Sequence, residues 1–175
     1  KLASYIMVFD GANGFNSQFD GITLNTGVLC HEMSHSLGTY DLYHVSGELN
    51  PVGVWDLMSD NQITPQGMTA YTKMRYCKWI DQIPEIKEAG TYTLNPLSGT
   101  TTDKIAYKIK PIGSDEYFVV EYRKKEGCDA NLPASGLIIY RICPQYTGGN
   151  VNYNGTTRLD EQYIFRPGGT VTADG

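Results

Sequence analysis

His31 and His35 stand four residues apart, with Glu32 beside the first of them. On an α-helix residues at that spacing lie one above the other, so both imidazoles can reach a single metal ion while Glu32 stands next to them. The surrounding residues suit a helix. Asn25 or Thr26 can cap its N-terminus and Gly38 can take the left-handed conformation that ends it, which predicts a helix from about residue 26 to 37. At about 100° per residue the apolar stripe of Leu29, Met33 and Leu37 points nearly opposite to the two histidines, which therefore do not belong to it.

A His-Glu-x-x-His run arises by chance in roughly one chain of this length in a few hundred. The continuation makes chance a poor explanation. Gly38 lets the chain turn sharply, and Asp41, six residues past His35, can come back to the same ion. Demanding Gly and Asp at those places lowers the chance rate by a further factor of about two hundred to three hundred. His44, three residues beyond Asp41, is the alternative third ligand. Two histidines and one carboxylate suit Zn2+, whose fourth position would hold a water that Glu32, as general base, deprotonates for attack on a carbonyl. The expected reaction is peptide-bond hydrolysis, with protein or peptide substrates.

Upstream of this helix lie a strand-like run, Tyr5-Ile6-Met7-Val8-Phe9, and a Gly- and Asn-rich loop from Asp10 to Gly21. Asp10, Asn13, Asn16 and Asp20 offer oxygens there, but they miss the EF-hand spacing, and Ca2+ is only a secondary expectation beside an exposed, turn-forming loop. Thr64 followed by Pro65 predicts the start of a second helix, about 65–79, and Pro84 follows soon after. Beyond it the pattern changes to period two, clearest where Ile105, Tyr107 and Ile109 alternate with Lys104, Ala106, Lys108 and Lys110. Further strands are expected at Tyr92-Thr93-Leu94, Tyr117 to Tyr122, Leu137 to Ile142 and Tyr163-Ile164-Phe165. The fold expected is α+β: a catalytic segment over 1–83 and an antiparallel β-rich domain, of sandwich type, over 84–175.

Composition excludes some functions. A formal charge of −5 and a pI near 5.1 leave no basic face for phosphates, so no nucleic acid partner is expected. No apolar run approaches the roughly 20 residues of a membrane span. The four cysteines, Cys30, Cys77, Cys128 and Cys143, include no Cys-x-x-Cys pair. Cys128 and Cys143 flank one expected strand and could be bridged, with free buried thiols the equal alternative.

The extended pattern His-Glu-x-x-His-x-x-Gly-x-x-Asp resembles the metzincin clan of metallopeptidases in the variant where aspartate replaces a third histidine. Further runs narrow the likeness: Gly27-Val28-Leu29-Cys30-His31-Glu32, Asp41-Leu42-Tyr43, Val54-Trp55-Asp56-Leu57-Met58 and Trp79 resemble the immune-inhibitor-A-like secreted bacterial peptidases. Glu121-Tyr122-Arg123 and Leu132-Pro133-Ala134-Ser135-Gly136 resemble the β part of that family more loosely. The resemblance implies that Met58 is the Met-turn residue, a hydrophobic floor under the metal and not a ligand, and that the catalytic segment is the C-terminal part of a metzincin-like domain. It also implies secretion or a cell-surface location, and a longer precursor carrying an N-terminal subdomain. Ser59-Asp60 follows Met58 where some metzincins place a tyrosine, so no tyrosine is assigned to the transition state. Two other readings compete: a binding or adhesion module with an incomplete metal site, and a metallopeptidase whose third ligand is a distant glutamate, Glu85 or Glu88.

Overall fold

A computed structural model describes residues 26–44, 50–149 and 160–168. The strand expected near Tyr5 and the loop of Asp10, Asn13, Asn16 and Asp20 lie outside the described residues. Helix α1 spans Thr26–His35. Its buried residues are Gly27, His31 and Ser34, a line one helical face wide, so the histidine side turns inward. Met33 and Leu37, on the opposite stripe, remain 53% and 45% exposed and line a groove with Pro65, Met68 and Trp79. The last turn tightens through Ser36 N–H to the Met33 carbonyl and Leu37 N–H to that of Ser34, and Gly38 ends it at φ +91°.

The second helical segment, α2, begins later than Thr64-Pro65 suggests. It is α-helical over Ala70–Thr72 and continues as a π-helical turn over Lys73–Cys77. Thr69 caps it, its hydroxyl accepting from Thr72 N–H at 3.2 Å. Residues ahead of it are committed elsewhere. The Gln66 amide donates to the carbonyls of Val54 and Asp60 and accepts from Gln62 N–H, while Gly67 N–H donates to Asp129. These side-chain bonds give the backbone an alternative to a helix, and tertiary contacts decide in their favour.

The β half forms one antiparallel sheet in the order β1 (Ala106–Ile109), β2 (Tyr117–Arg123), β3 (Gly136–Ile142), β4 (Gln162–Ile164). Register places Ala106 opposite Glu121, Val119 opposite Tyr140, and Tyr140 opposite Ile164, and this face packs on α2 and the loop before it. The 92–94 run forms no strand. Of the alternating apolar residues, Ile105 enters the core just ahead of β1, Tyr107 is buried under Tyr92, which meets it edge-on, and Ile109 is 46% exposed. The small Ala106 faces inward, toward a buried polar layer. One apolar cluster includes Leu42, Leu57, Met58 and Tyr71 together with Val119, Ile138, Tyr140 and Ile164, so residues before and after Pro84 share a core.

Charged side chains sit inside that core. Arg123, fully buried, grips Asp129 with two bonds of 2.8 Å and gives its remaining donors to the carbonyls of Trp55 and Gly67 and to Glu121. Glu121 in turn accepts from Ala70 N–H, at the start of α2, and from the Tyr140 hydroxyl, each at 2.8 Å. Asp56, also buried, accepts from Met58 N–H, Thr69 N–H and the Thr72 hydroxyl. Burial pushes the carboxyls of Asp56 and Glu121 up, and their donors work against that rise.

All four cysteines are free thiols. Cys143 donates to Glu116 beside the first residue of β2, whereas Cys128 follows the last, so the two stand at opposite ends of the β2–β3 hairpin and no bridge between them is formed. Replacing Arg123 with Met would leave Asp129 and Glu121 buried without their cation. We expect a loss of about 3–5 kcal/mol in stability, read by urea denaturation.

Candidate metal centre

Two carbonyls orient the two imidazoles. His31 Nδ1 lies 2.9 Å from the Leu57 carbonyl, and His35 Nδ1 lies 2.9 Å from that of Thr39. A carbonyl oxygen can only accept, so each Nδ1 carries the proton and each Nε2 is turned the other way. The Thr39 carbonyl is in place because the chain reverses at Gly38. A side chain at 38 would meet nothing within 4 Å, so glycine is required there by its positive φ alone.

Both Nε2 atoms face one oxygen. Asp41 Oδ1 is 2.9 Å from His31 Nε2 and 3.4 Å from His35 Nε2. With both Nδ1 positions protonated, two imidazole lone pairs confront a carboxylate oxygen, and a cation has to lie among them, either protons or a metal ion. The ligand atoms of His31, His35 and Asp41 all lie within 4.8 Å of one another. Atoms bound at about 2.0–2.2 Å around a tetrahedral ion stand roughly 3.3–3.6 Å apart, so the donor set fits zinc with little rearrangement. Burial works against the His31 imidazolium, yet the bond and charge of Asp41, the Leu57 carbonyl and the charge of Glu32 together raise its pKa above the ordinary value. Burial also works against the Asp41 carboxylate, but the His31 bond, both histidine charges and a bond from Tyr43 hold its pKa below the usual range.

The turn at Asp56-Leu57-Met58 underlies this arrangement. Leu57 supplies the carbonyl for His31, and the Met58 carbonyl accepts from Leu42 N–H at 2.8 Å, next to Asp41. The Met58 sulfur, fully buried, accepts from the Thr39 hydroxyl at 3.5 Å. Met58 thus touches the loop that turns back from α1.

Glu32 is half-buried on α1, and its charge acts on both His31 and Tyr43. His44 does not join the cluster: its Nε2 is 2.7 Å from Asp160 Oδ1, with both side chains buried. Glu85 is engaged at the surface by Lys108 at 4.0 Å, and neither it nor Glu88 is among the clustered residues. Tyr43 is the site residue that sequence reasoning passes over. Its ring lies 6.3 Å from that of His31, and its hydroxyl helps to hold the Asp41 carboxyl below its usual range. Burial, then the charges of Asp41 and Glu32, raise its pKa, so the hydroxyl stays protonated and able to donate. The signal available was alternation: Leu42 enters the core, so its neighbours Asp41 and Tyr43 share the other side.

Two imidazoles with tautomers set by main-chain carbonyls, facing one carboxylate, form a donor set that a metal ion could use. Residues 14–81 match the family model described as the immune inhibitor A peptidase M6, catalytic domain, so this segment is similar to the catalytic part of those peptidases. No curated protein and no solved structure matches the chain.

Gly38→Ala tests the turn that presents the Thr39 carbonyl. Because the new methyl meets open space, the expected cost is backbone strain of about 1–2 kcal/mol, measured by chemical denaturation.

Proposed function

We propose that the chain carries the catalytic centre of a zinc-dependent endopeptidase of the metzincin kind, with His31, His35 and Asp41 as metal ligands and Glu32 as general base. The observation that carries this reading is the convergence of two Nε2 atoms on one Asp41 oxygen while both Nδ1 atoms are held by carbonyls. A zinc ion, when bound, supplies positive charge for the oxyanion and acidifies the attacking water.

The remaining work falls to side chains. Glu32, one residue from His31 and within electrostatic reach of it, takes the proton of the attacking water and passes it to the leaving amine. Tyr43 favours the charged form of Asp41, and the Leu57 and Thr39 carbonyls keep the imidazoles in the ligating tautomer. Met58 forms the apolar floor beneath them. The pairing of His44 with Asp160 favours Asp41 as third ligand. A complete donor set with oriented tautomers also favours an enzyme over a binding module with an incomplete metal site, and protein or peptide chains are the substrates. Secretion belongs to the same reading and rests on the family likeness.

Two variants separate binding from chemistry. Glu32→Ala should keep about one zinc per chain by elemental analysis while peptide cleavage falls by about two to four orders of magnitude or more. His35→Ala should lose both. An active Glu32→Ala protein would refute the base assignment, and a His35→Ala protein with its full zinc content would refute the ligand set.

A further inference from the structure

Helix α1 delivers two donors on one rigid element, but Asp41 comes from a loop, and a loop donor needs outer partners to hold it in place. One partner is the Met58 carbonyl, which takes Leu42 N–H. The other comes from the β half. Gly149 N–H donates to the Asp41 carbonyl at 2.8 Å. The fit around the two glycines is close: a Cβ at Gly148 would stand 2.7 Å from the Asp41 carbonyl oxygen, and one at Gly149 would stand 2.5 Å from the Leu42 carbonyl carbon and oxygen. These are backbone atoms, which cannot swing aside as a side chain can.

The glycine pair is itself tied down. Gly148 N–H donates to Glu161 Oε2 at 2.8 Å, and the Gly148 carbonyl accepts from Glu161 N–H at 3.3 Å. Glu161, fully buried, also accepts from the Tyr71 and Tyr76 hydroxyls of α2. A second tie joins the same two regions, because His44, three residues past Asp41, pairs with Asp160 beside Glu161. The Asp41 loop is therefore clamped between the turn at Met58 and a strap at Gly148-Gly149.

We propose that this strap, rooted in Glu161 and reinforced by the His44–Asp160 pair, is the positioning element for Asp41, so that the β half completes the metal centre. The inference rests on the zinc reading above. It makes Gly148 and Gly149 positioning residues for a ligand more than a hundred residues earlier in the chain, although neither touches the metal.

The test uses the full chain. Zinc affinity is measured by competition with a chromophoric chelator, and coordination geometry by the visible absorption of the Co2+-substituted protein, at a temperature where unfolding curves show each variant fully folded. Gly149→Ala should weaken zinc binding by about tenfold or more and alter the Co2+ spectrum. Asp160→Asn, which removes the anion facing His44, should act in the same direction but less. Gly136→Ala, whose new methyl meets nothing within 4 Å, should match the parent in both readouts.

A folded Gly149→Ala protein with parental zinc affinity and Co2+ spectrum overturns the inference. If that variant does not fold, parental values in Asp160→Asn overturn it equally. A parent chain that binds no zinc overturns the metallopeptidase reading, and this inference with it, whereas zinc in the parent with unchanged variants overturns the inference alone.

Discussion

The hydrogen bond from His31 Nδ1 to the Leu57 carbonyl joins helix α1 to the turn 26 residues later, and the candidate site depends on it. An imidazole has two nitrogens and can present either. Pinning one to a carbonyl chooses which faces the cluster, and the same turn, one residue on, holds Leu42 through the Met58 carbonyl. Helix and loop are thereby referred to a single piece of backbone. Its shape in turn depends on Asp56, whose carboxylate ties Met58 to Thr69 and Thr72 at the start of α2.

The polar layer between the sheet and this turn explains two features that pattern alone leaves puzzling. Glu121 and Arg123 lie on the inward face of β2, where an apolar pair would normally pack, and the small Ala106 of β1 stands opposite Glu121 while Ile109 is exposed. Arg123 has five N–H donors in a planar fork, and all of them find acceptors on Asp129, Glu121, Trp55 and Gly67. Such a layer contributes less to stability than its number of bonds suggests, since desolvating the charges offsets much of their attraction. It imposes direction, however, because each carbonyl and N–H it engages has one acceptable position. The Glu-Tyr-Arg run that resembles the β part of the family thus acts in the structure by gripping the segment that supports the site.

Much of the candidate cluster was legible in the sequence for a simple reason. His31, Glu32 and His35 lie within about one helical turn, so covalent geometry relates them once the helix exists. Gly38 was legible because a chain reversing after a helix needs a positive φ, which it adopts at +91°. The period-two pattern beyond Pro84 marked three of the four strands closely, and the short β4 was visible only as Tyr163-Ile164-Phe165. The start of α2 was not legible: Thr64-Pro65 is a sound local start signal, and it loses to the bonds that Gln66 and Gly67 make with distant groups. The Cys128–Cys143 pairing also looked open on spacing, but hairpin register puts the two residues at opposite ends.

What the sequence by itself determined is the inventory and its local spacing: two imidazoles on one helix face with a carboxylate beside them, a glycine turn, and two further candidate donors, Asp41 and His44, shortly after it. Only the tertiary structure set those last two apart, bringing Asp41 Oδ1 to both Nε2 atoms and giving His44 to Asp160. It also decided which ring nitrogen each histidine presents, and that Tyr43, Gly148 and Gly149 surround the third donor. The physical reason is range. Spacing within a helical turn follows from bond geometry, whereas partners 26 or 116 residues apart, such as His31 with Leu57 or His44 with Asp160, meet only when the core and the sheet have packed.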